Sequence, residues 1–319
     1  MKFKLFIIVF FVFSSCYFYS QTKTPFVFRY HTKHLTKKFH KHLKYDTIIN
    51  TSKAKIHLYY SNDAVKPYLL MLHGMGAEAK ENWHKQIKTL SKHYNLIVPD
   101  LIYFGESTSV ENNFSLDFQV TQINEVLERL MISKKINVMG FSYRGLCAAY
   151  YNEVFTNKVD KLIIMDGPVK YFSIAAADSL AKIAGADNIT NLLAPQTLSD
   201  FNSLVKAGVS KKIVITKGIK KKIIKYYFTS NLEFRKQQIK SLVNEEAKLT
   251  SINYGIDKTP TLLIWGEKDG IVPFSVAKLL HLNFPNTTKL ITYKKAKHDV
   301  HFRYPKKINN QVINFLKGG

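Results

Sequence analysis

Two cysteines in 319 residues, Cys16 and Cys147, leave no basis for a disulfide framework. Cys147 falls inside a helical pattern after a serine turn, where it reads as a small buried hydrophobe rather than a reactive thiol. Acidic residues are equally scarce. There are 23 against 47 Lys plus Arg, giving a net charge of +24 and a pI of about 9.7, and none occurs before Asp46. Such a balance suits a nucleic-acid partner. Here, however, the lysines are spread along the chain beside many Ile, Asn, Tyr and Phe, and no nucleic-acid-binding motif accompanies them. The excess is read as compositional, and no specific nucleic-acid partner is expected. No apolar run reaches membrane-spanning length. A hydrophobic content of 46% and this length suffice for a large buried core.

The chain opens with a basic segment, Met1-Lys2-Phe3-Lys4, followed by the short apolar run Leu5–Phe13, as a secretory signal does. Ser14-Ser15-Cys16 resembles the end of a bacterial lipobox, although Phe13 stands where an aliphatic residue is usual. Cleavage after Ser20 and an uncleaved anchor are the competing readings. All three place the folded part outside the cytoplasm, in the periplasm or at the cell envelope, with Cys16 the candidate lipid anchor. Residues 21–46 form a leader rich in basic residues and histidine (His31, Lys33, His34, Lys37, Lys38, His40, Lys41, His42). Histidines three or four apart can share a metal on one helical face. A solvated leader with weak affinity for anionic headgroups is the simpler expectation.

From Thr47 onward the pattern is regular. Strands are expected at Thr47–Asn50, Ile56–Ser61, Tyr68–Leu72, Leu96–Pro99, Ile136–Phe141, Lys161–Met165, Thr261–Trp265 and Lys289–Thr292. The later runs are almost wholly hydrophobic, which marks strands covered on both faces. Helical periods lie between them: Leu116, Val120, Ile123, Leu127 and Leu130, then Ile308, Val312, Phe315 and Leu316. Alternation of this kind predicts an α/β fold, with a mostly parallel eight-stranded sheet and helices on both faces. The core spans 47–170 and 255–319. Residues 171–254 break the alternation; apart from a weak strand pattern at Ile213–Thr216 they read as an inserted helical cap. Its lysines at 220, 221, 222 and 225 read as a solvated helix face.

Chemistry enters at Val138-Met139-Gly140-Phe141-Ser142-Tyr143-Arg144-Gly145, where a strand runs through a glycine-flanked serine into a helix. A serine hydroxyl needs a base to become a nucleophile. Asp269, in Trp265-Gly266-Glu267-Lys268-Asp269, and His298, in Lys297-His298-Asp299, follow strands at the same sheet edge in the order Ser, Asp, His. Asp166 is the alternative acid; His301 and His73 are weaker candidates for the base. The amides of Tyr143, at a helix start, and of Met75, in Leu72-His73-Gly74-Met75-Gly76, are the candidate oxyanion donors. No metal or organic cofactor is called for.

Together, His73-Gly74, Pro99-Asp100-Leu101 with Phe104-Gly105-Glu106-Ser107, the Ser142 elbow, the Asp269 turn and Lys297-His298 resemble the α/β-hydrolase superfamily from about Ile56 to Leu316. At finer grain they resemble its monoacylglycerol-lipase-like and plant-type carboxylesterase branch. The resemblance implies a serine hydrolase acting on a small lipophilic ester or monoacylglycerol through an acyl-serine. Carbon–carbon bond hydrolases and amidases keep the same triad, whereas dehalogenases and epoxide hydrolases use an aspartate nucleophile. One departure stands out: Arg144 occupies a position where the family has glycine. A long cation there is expected to reach solvent or pair with a carboxylate, leaving Gly145 to pack the elbow. An altered, non-catalytic envelope binding protein is the rival reading, and a polyanion-binding protein the third. A small ester is the expected partner, with membrane association through the lipid or the basic leader; oligomeric state is left open.

Overall fold

The computed structural model describes residues 26–76, 78–211, 214–229 and 232–318. The signal segment, Cys16 and Ser20 lie outside the described residues. Nine strands form one sheet: β1 (Tyr45–Asn50), β2 (Ala54–Tyr60), β3 (Tyr68–Leu72), β4 (Asn95–Pro99), β5 (Thr108–Ser109), β6 (Ile136–Phe141), β7 (Val159–Met165), β8 (Thr261–Gly266) and β9 (Thr288–Tyr293). The path is β1-β2-β4-β3-β6-β7-β8-β9, with β5 paired to β2 off the path. Pairings made by β2 are antiparallel, and those from β4 through β9 are parallel. The eight expected strands are all present. The two-residue β5, too short to leave a periodic signature, is the addition.

Thirteen α-helices accompany them among the described residues: α1 (Phe26–His42), α2 (Ala79–Trp83), α3 (Ile87–Leu90), α4 (Leu116–Arg129), α5 (Tyr143–Val154), α6 (Ile174–Ala184), α7 (Ile189–Leu193), α8 (Leu198–Gly208), α9 (Lys217–Ile223), α10 (Leu232–Ser251), α11 (Ser275–Asn283), α12 (Val300–Arg303) and α13 (Pro305–Leu316). Local chemistry sets many of their ends. The Ser115 hydroxyl accepts from the amide of Phe118 to start α4, and Pro305 opens α13 where its missing N–H costs nothing.

Alternation along the buried strands divides the core into two layers. Leu70, Leu72, Val138, Leu162, Ile164, Leu263 and Trp265 pack against α4, α5 and α11. Their neighbours Leu69, Met71, Met139, Phe141, Ile163, Met165, Leu262 and Ile264 pack on the other side against α1, α2, α3 and α13.

Two expectations are corrected. The basic leader is not simply solvated, because α1 docks through Phe28, Leu35 and Phe39, followed by Leu43, all buried. Arg29, Lys33, Lys37 and Lys41 share its exposed face at four-residue spacing. Repulsion between such neighbours costs about 0.2–0.5 kcal/mol per pair. Each buried Leu or Phe returns about 1.5–3 kcal/mol, so burial prevails and the charged helix is held. The second correction is at Ile213–Thr216. Residues 214–216 form no strand, and residue 213 lies outside the described residues. Among the described residues, 171–254 contains no strand; α6 to α10 occupy it, with Lys221, Lys222 and Lys225 exposed. No described helix is long and apolar enough to cross a membrane.

Candidate active site

Strand order decides where a site can form. From β3 the chain moves to β4 on one side of the sheet, and from β6 to β7 on the other, while β3 and β6 lie side by side. The loops leaving their carboxyl ends therefore part and open a crevice, the place where such sheets bind ligands. The elbow after β6 and the His73–Gly76 turn after β3 meet there.

At the elbow Ser142 has φ 57 and ψ −135, a left-handed conformation that costs a non-glycine residue about 1–3 kcal/mol. The surroundings enforce it. The Ser142 amide donates to the Met165 carbonyl at 2.8 Å, extending the β6–β7 ladder by one residue. A Cβ on Gly140 would stand 2.0 Å from the Arg144 carbonyl oxygen, so helix α5 turns back directly over the strand. Gly145 in turn packs on Gly167.

Three side chains from distant parts of the chain converge at this rim. The Ser142 Oγ lies 2.7 Å from His298 Nε2, and His298 Nδ1 lies 2.7 Å from Asp269 Oδ2. Asp269 and His298 are both buried. The remaining carboxylate oxygen, Asp269 Oδ1, accepts from the amides of Ile271 and Val272 at 2.8 and 3.0 Å. These donors fix the carboxylate so that it presents Oδ2 to the imidazole. The loop carrying His298 is itself anchored, since the Lys297 amide donates to Ser210 Oγ at 2.9 Å and the Asp299 carboxylate accepts from the Ser210 amide at 3.0 Å and from its hydroxyl. Burial pushes the Asp299 carboxyl up from the usual range, against the pull of those donors.

Met75 and Tyr143 both line the cavity that opens over Ser142 and His298. Tyr143 is the first residue of α5, where an amide has no partner within the helix. A Cβ on Gly74 would lie 2.8 Å from the Phe141 ring and 3.5 Å from the Ser142 Cβ, so the turn after β3 closes tightly on the elbow. Gly76, at φ +92, completes that turn beneath Arg235 of α10, which would meet a Cβ there at 2.6 Å. Arg235 is buried, donates from Nη2 to the Tyr227 carbonyl at 2.9 Å and lies over the Phe228 ring. Nothing in the sequence pattern marked it as part of the site.

The weaker candidates fall away from the nucleophile. His73 Nε2 accepts from the Leu101 amide at 3.1 Å, and burial together with the charge of Arg144 lowers its pKa to about 4. His73 is thus a neutral structural acceptor. His301 is fully buried against Phe141 and Trp83, with burial driving its pKa well down. Cys147 is buried, and burial raises its thiol pKa. Asp166 is close by: one of its oxygens, one of Asp269 and one nitrogen of His298 all lie within 4.8 Å of one another.

The expectation for Arg144 is overturned. Its side chain reaches neither solvent nor a carboxylate. It is fully buried with the guanidinium carbon 4.5 Å from the Tyr143 ring centroid and 4.9 Å from that of Phe104. Nη1 lies 3.8 Å from Cys147 Sγ, and Nε and Nη2 have no hydrogen-bond partner among the described residues. Aromatic faces stand in for a counter-ion, because the helix carries the residue inward before any carboxylate is in reach.

These features define a class. A family model for the alpha/beta hydrolase fold matches residues 67–304, and the chain belongs to that family. It is a hydrolase of that fold. Among relatives, it is 25% identical over 258 residues to human monoacylglycerol lipase ABHD6, covering 79% of this chain and 75% of that one. It is 28% identical over 232 residues to Lipase 1 of Psychrobacter immobilis, covering 68% and 67%. A membrane phospholipase A shares the fold with a TM-score of 0.74 at 16% identity, over 90% of this chain and 91% of that one.

Proposed function

We propose that this hydrolase cleaves a carboxylic ester with a lipophilic acyl group, of the monoacylglycerol type, through an acyl-serine. One observation carries the reading: the two successive 2.7 Å contacts from Asp269 to His298 to Ser142 end in a cavity lined mainly by apolar side chains. Phe172, Ile189, Leu204, Phe228, Leu242 and Val272 are among them. Walls of this kind favour an acyl chain, whose burial gains about 0.8 kcal/mol per CH₂. The names of the lipase relatives agree with that chemistry.

In this mechanism His298 Nε2 takes the Ser142 proton as Oγ attacks the ester carbonyl, and Asp269 holds the imidazolium in place. The amides of Met75 and Tyr143 receive the oxyanion. Collapse expels the alcohol, which leaves with the proton from His298. Water, deprotonated by the same nitrogen, then releases the acid and restores the serine. The strained Ser142 backbone fits this role, because it lifts Oγ out of the α5 helix toward the cavity.

The test is turnover of glyceryl and p-nitrophenyl esters of graded chain length, together with fluorophosphonate labelling. Wild-type protein should label and hydrolyse, and Ser142→Ala should do neither, with turnover reduced by about 10⁶. Failure of folded wild-type protein to label, or retained turnover in Ser142→Ala, would overturn the reading.

A further inference from the structure

We infer that Asp166 is held as a neutral carboxylic acid that donates its hydrogen to the Asp269 carboxylate, which makes it a positioning residue for His298 acting through Asp269. This deepens the proposed function and rests on the same triad.

The geometry begins at the end of β7. The Asp166 amide donates to the Ile264 carbonyl at 3.1 Å, and the residue sits at φ 46, so its carboxyl is turned across the neighbouring strand end rather than outward. Oδ1 accepts from the Gly266 amide at 3.0 Å. Oδ2 is buried and receives no donor among the described residues. An oxygen of Asp166 lies within 4.8 Å of an oxygen of Asp269. Two carboxyl groups at this separation in a water-excluded site do not both ionise, so the pair carries one proton between them.

An inventory of donors decides which member keeps it. Asp269 is served by two backbone amides and by His298 Nδ1. Asp166 is served by one amide. The anion settles where more donors stabilise it, at Asp269. The proton stays on Asp166, where it supplies the otherwise empty contact of Oδ2. Burial, then the charge of Asp269, pushes the Asp166 carboxyl well above the usual range, in agreement with this assignment. Asp299 is a third carboxyl facing the pair, from the loop after β9, and it too disfavours ionisation of Asp166. Its own surroundings are the Ser210 donors, the Lys297 amide, Arg303 and the ammonium of Lys85. The bonds made by Asp269 Oδ1 keep that carboxylate from rotating; the bond from Asp166 would keep it from tilting away as charge develops on His298.

Three variants and one spectroscopic measurement test the assignment. Asp166→Asn keeps a neutral donor toward Asp269 and an acceptor for Gly266, so kcat should fall by no more than about threefold. In the wild type, raising the pH until Asp166 ionises removes the donor and places a second negative charge beside Asp269. An alkaline limb in kcat/KM is therefore expected, absent in Asp166→Asn. Asp166→Leu removes the donor altogether and should lower kcat by about tenfold with KM little changed. The pH profile is recorded as both ester turnover and rate of fluorophosphonate labelling.

Asp166→Asn as damaging as Asp269→Asn would mean that Asp166 itself is the triad acid, and would overturn the inference. So would Asp166→Leu matching Asp166→Asn in kcat. The infrared spectrum of resting protein at neutral pH should contain a protonated-carboxyl C=O stretch that Asp166→Asn lacks. Its absence from the wild type also overturns the inference, whether or not Asp166→Leu folds. The infrared measurement needs no turnover, so a failed ester assay refutes the proposed function without touching this result.

Discussion

Two buried histidines in this protein make the same contact and are put to opposite uses. His298 Nδ1 lies 2.7 Å from Asp269 Oδ2, and His57 Nδ1 lies 2.7 Å from Asp100 Oδ2. They differ at the second ring nitrogen. His298 Nε2 faces the Ser142 hydroxyl at the edge of the cavity, whereas His57 Nε2 meets a second carboxylate, Asp46 Oδ1, at 2.7 Å. Burial works against a charged His57, but the bonds and charges of Asp100 and Asp46 outweigh it and lift its pKa to about 9. That histidine is a fixed cation. It ties β1 and β2 to the loop after β4, and Asp100 Oδ1 passes the tether on by accepting from the Ala79 amide at the start of α2 at 2.7 Å. A histidine–carboxylate pair therefore does not identify a catalytic base. What the other nitrogen faces does.

The sharpest way to break this comparison is to remove each imidazole. His298→Ala should lower ester turnover by about 10⁶ while leaving the thermal midpoint close to that of the wild type. His57→Ala leaves Asp100 buried without its cation, while the partly exposed Asp46 keeps only His40. It should lose about 3–5 kcal/mol of stability, read from denaturant midpoints, with kcat of the folded fraction far less affected. Equal effects of the two substitutions on both quantities would erase the distinction.

Arg144 sharpens the comparison with a buried cation that has no carboxylate at all. Its desolvation is offset by two aromatic faces in place of an ion pair. Arg144→Met should therefore raise stability by about 1–3 kcal/mol in a denaturant titration. A loss of stability would show that the ring contacts fully compensate the buried charge.

The smallest effect is in the pH dependence. Because the folded-state pKa of His57 lies above the ordinary value near 6.5, its contribution to stability is complete below that value and is lost as pH rises through about 9. Midpoints measured across this window should decline more steeply for the wild type than for His57→Gln. Parallel curves would remove His57 from the account.

Much of this arrangement was legible from local pattern. The run Ile136–Phe141 is buried on both faces at the boundaries its hydrophobicity marked, Gly140 lies where a side chain would strike the returning helix, and Gly145 lies where one would press on Gly167. Leu116, Val120, Ile123 and Leu127 bury the face that their spacing defines. Less legible was the leader, where charge dominates the composition while three well-spaced apolar side chains decide the docking. Arg144 was misread because an arginine is ordinarily exposed, and only the stacking of Phe104 and Tyr143 around it makes burial tolerable. Arg235 gave no signal, since its contact with the turn at Gly76 is made across two segments far apart in the chain.

By itself, the order of residues determined eight of the nine strands, the helices with a regular apolar period and the short set of side chains able to form a triad, because periodicity, caps and turns act over neighbours. Only the tertiary structure decided which carboxylate braces His298 and which histidine is clamped between two carboxylates. Those outcomes depend on distances of a few ångströms between strand ends and on how many donors each oxygen receives, and the folded sheet alone sets both.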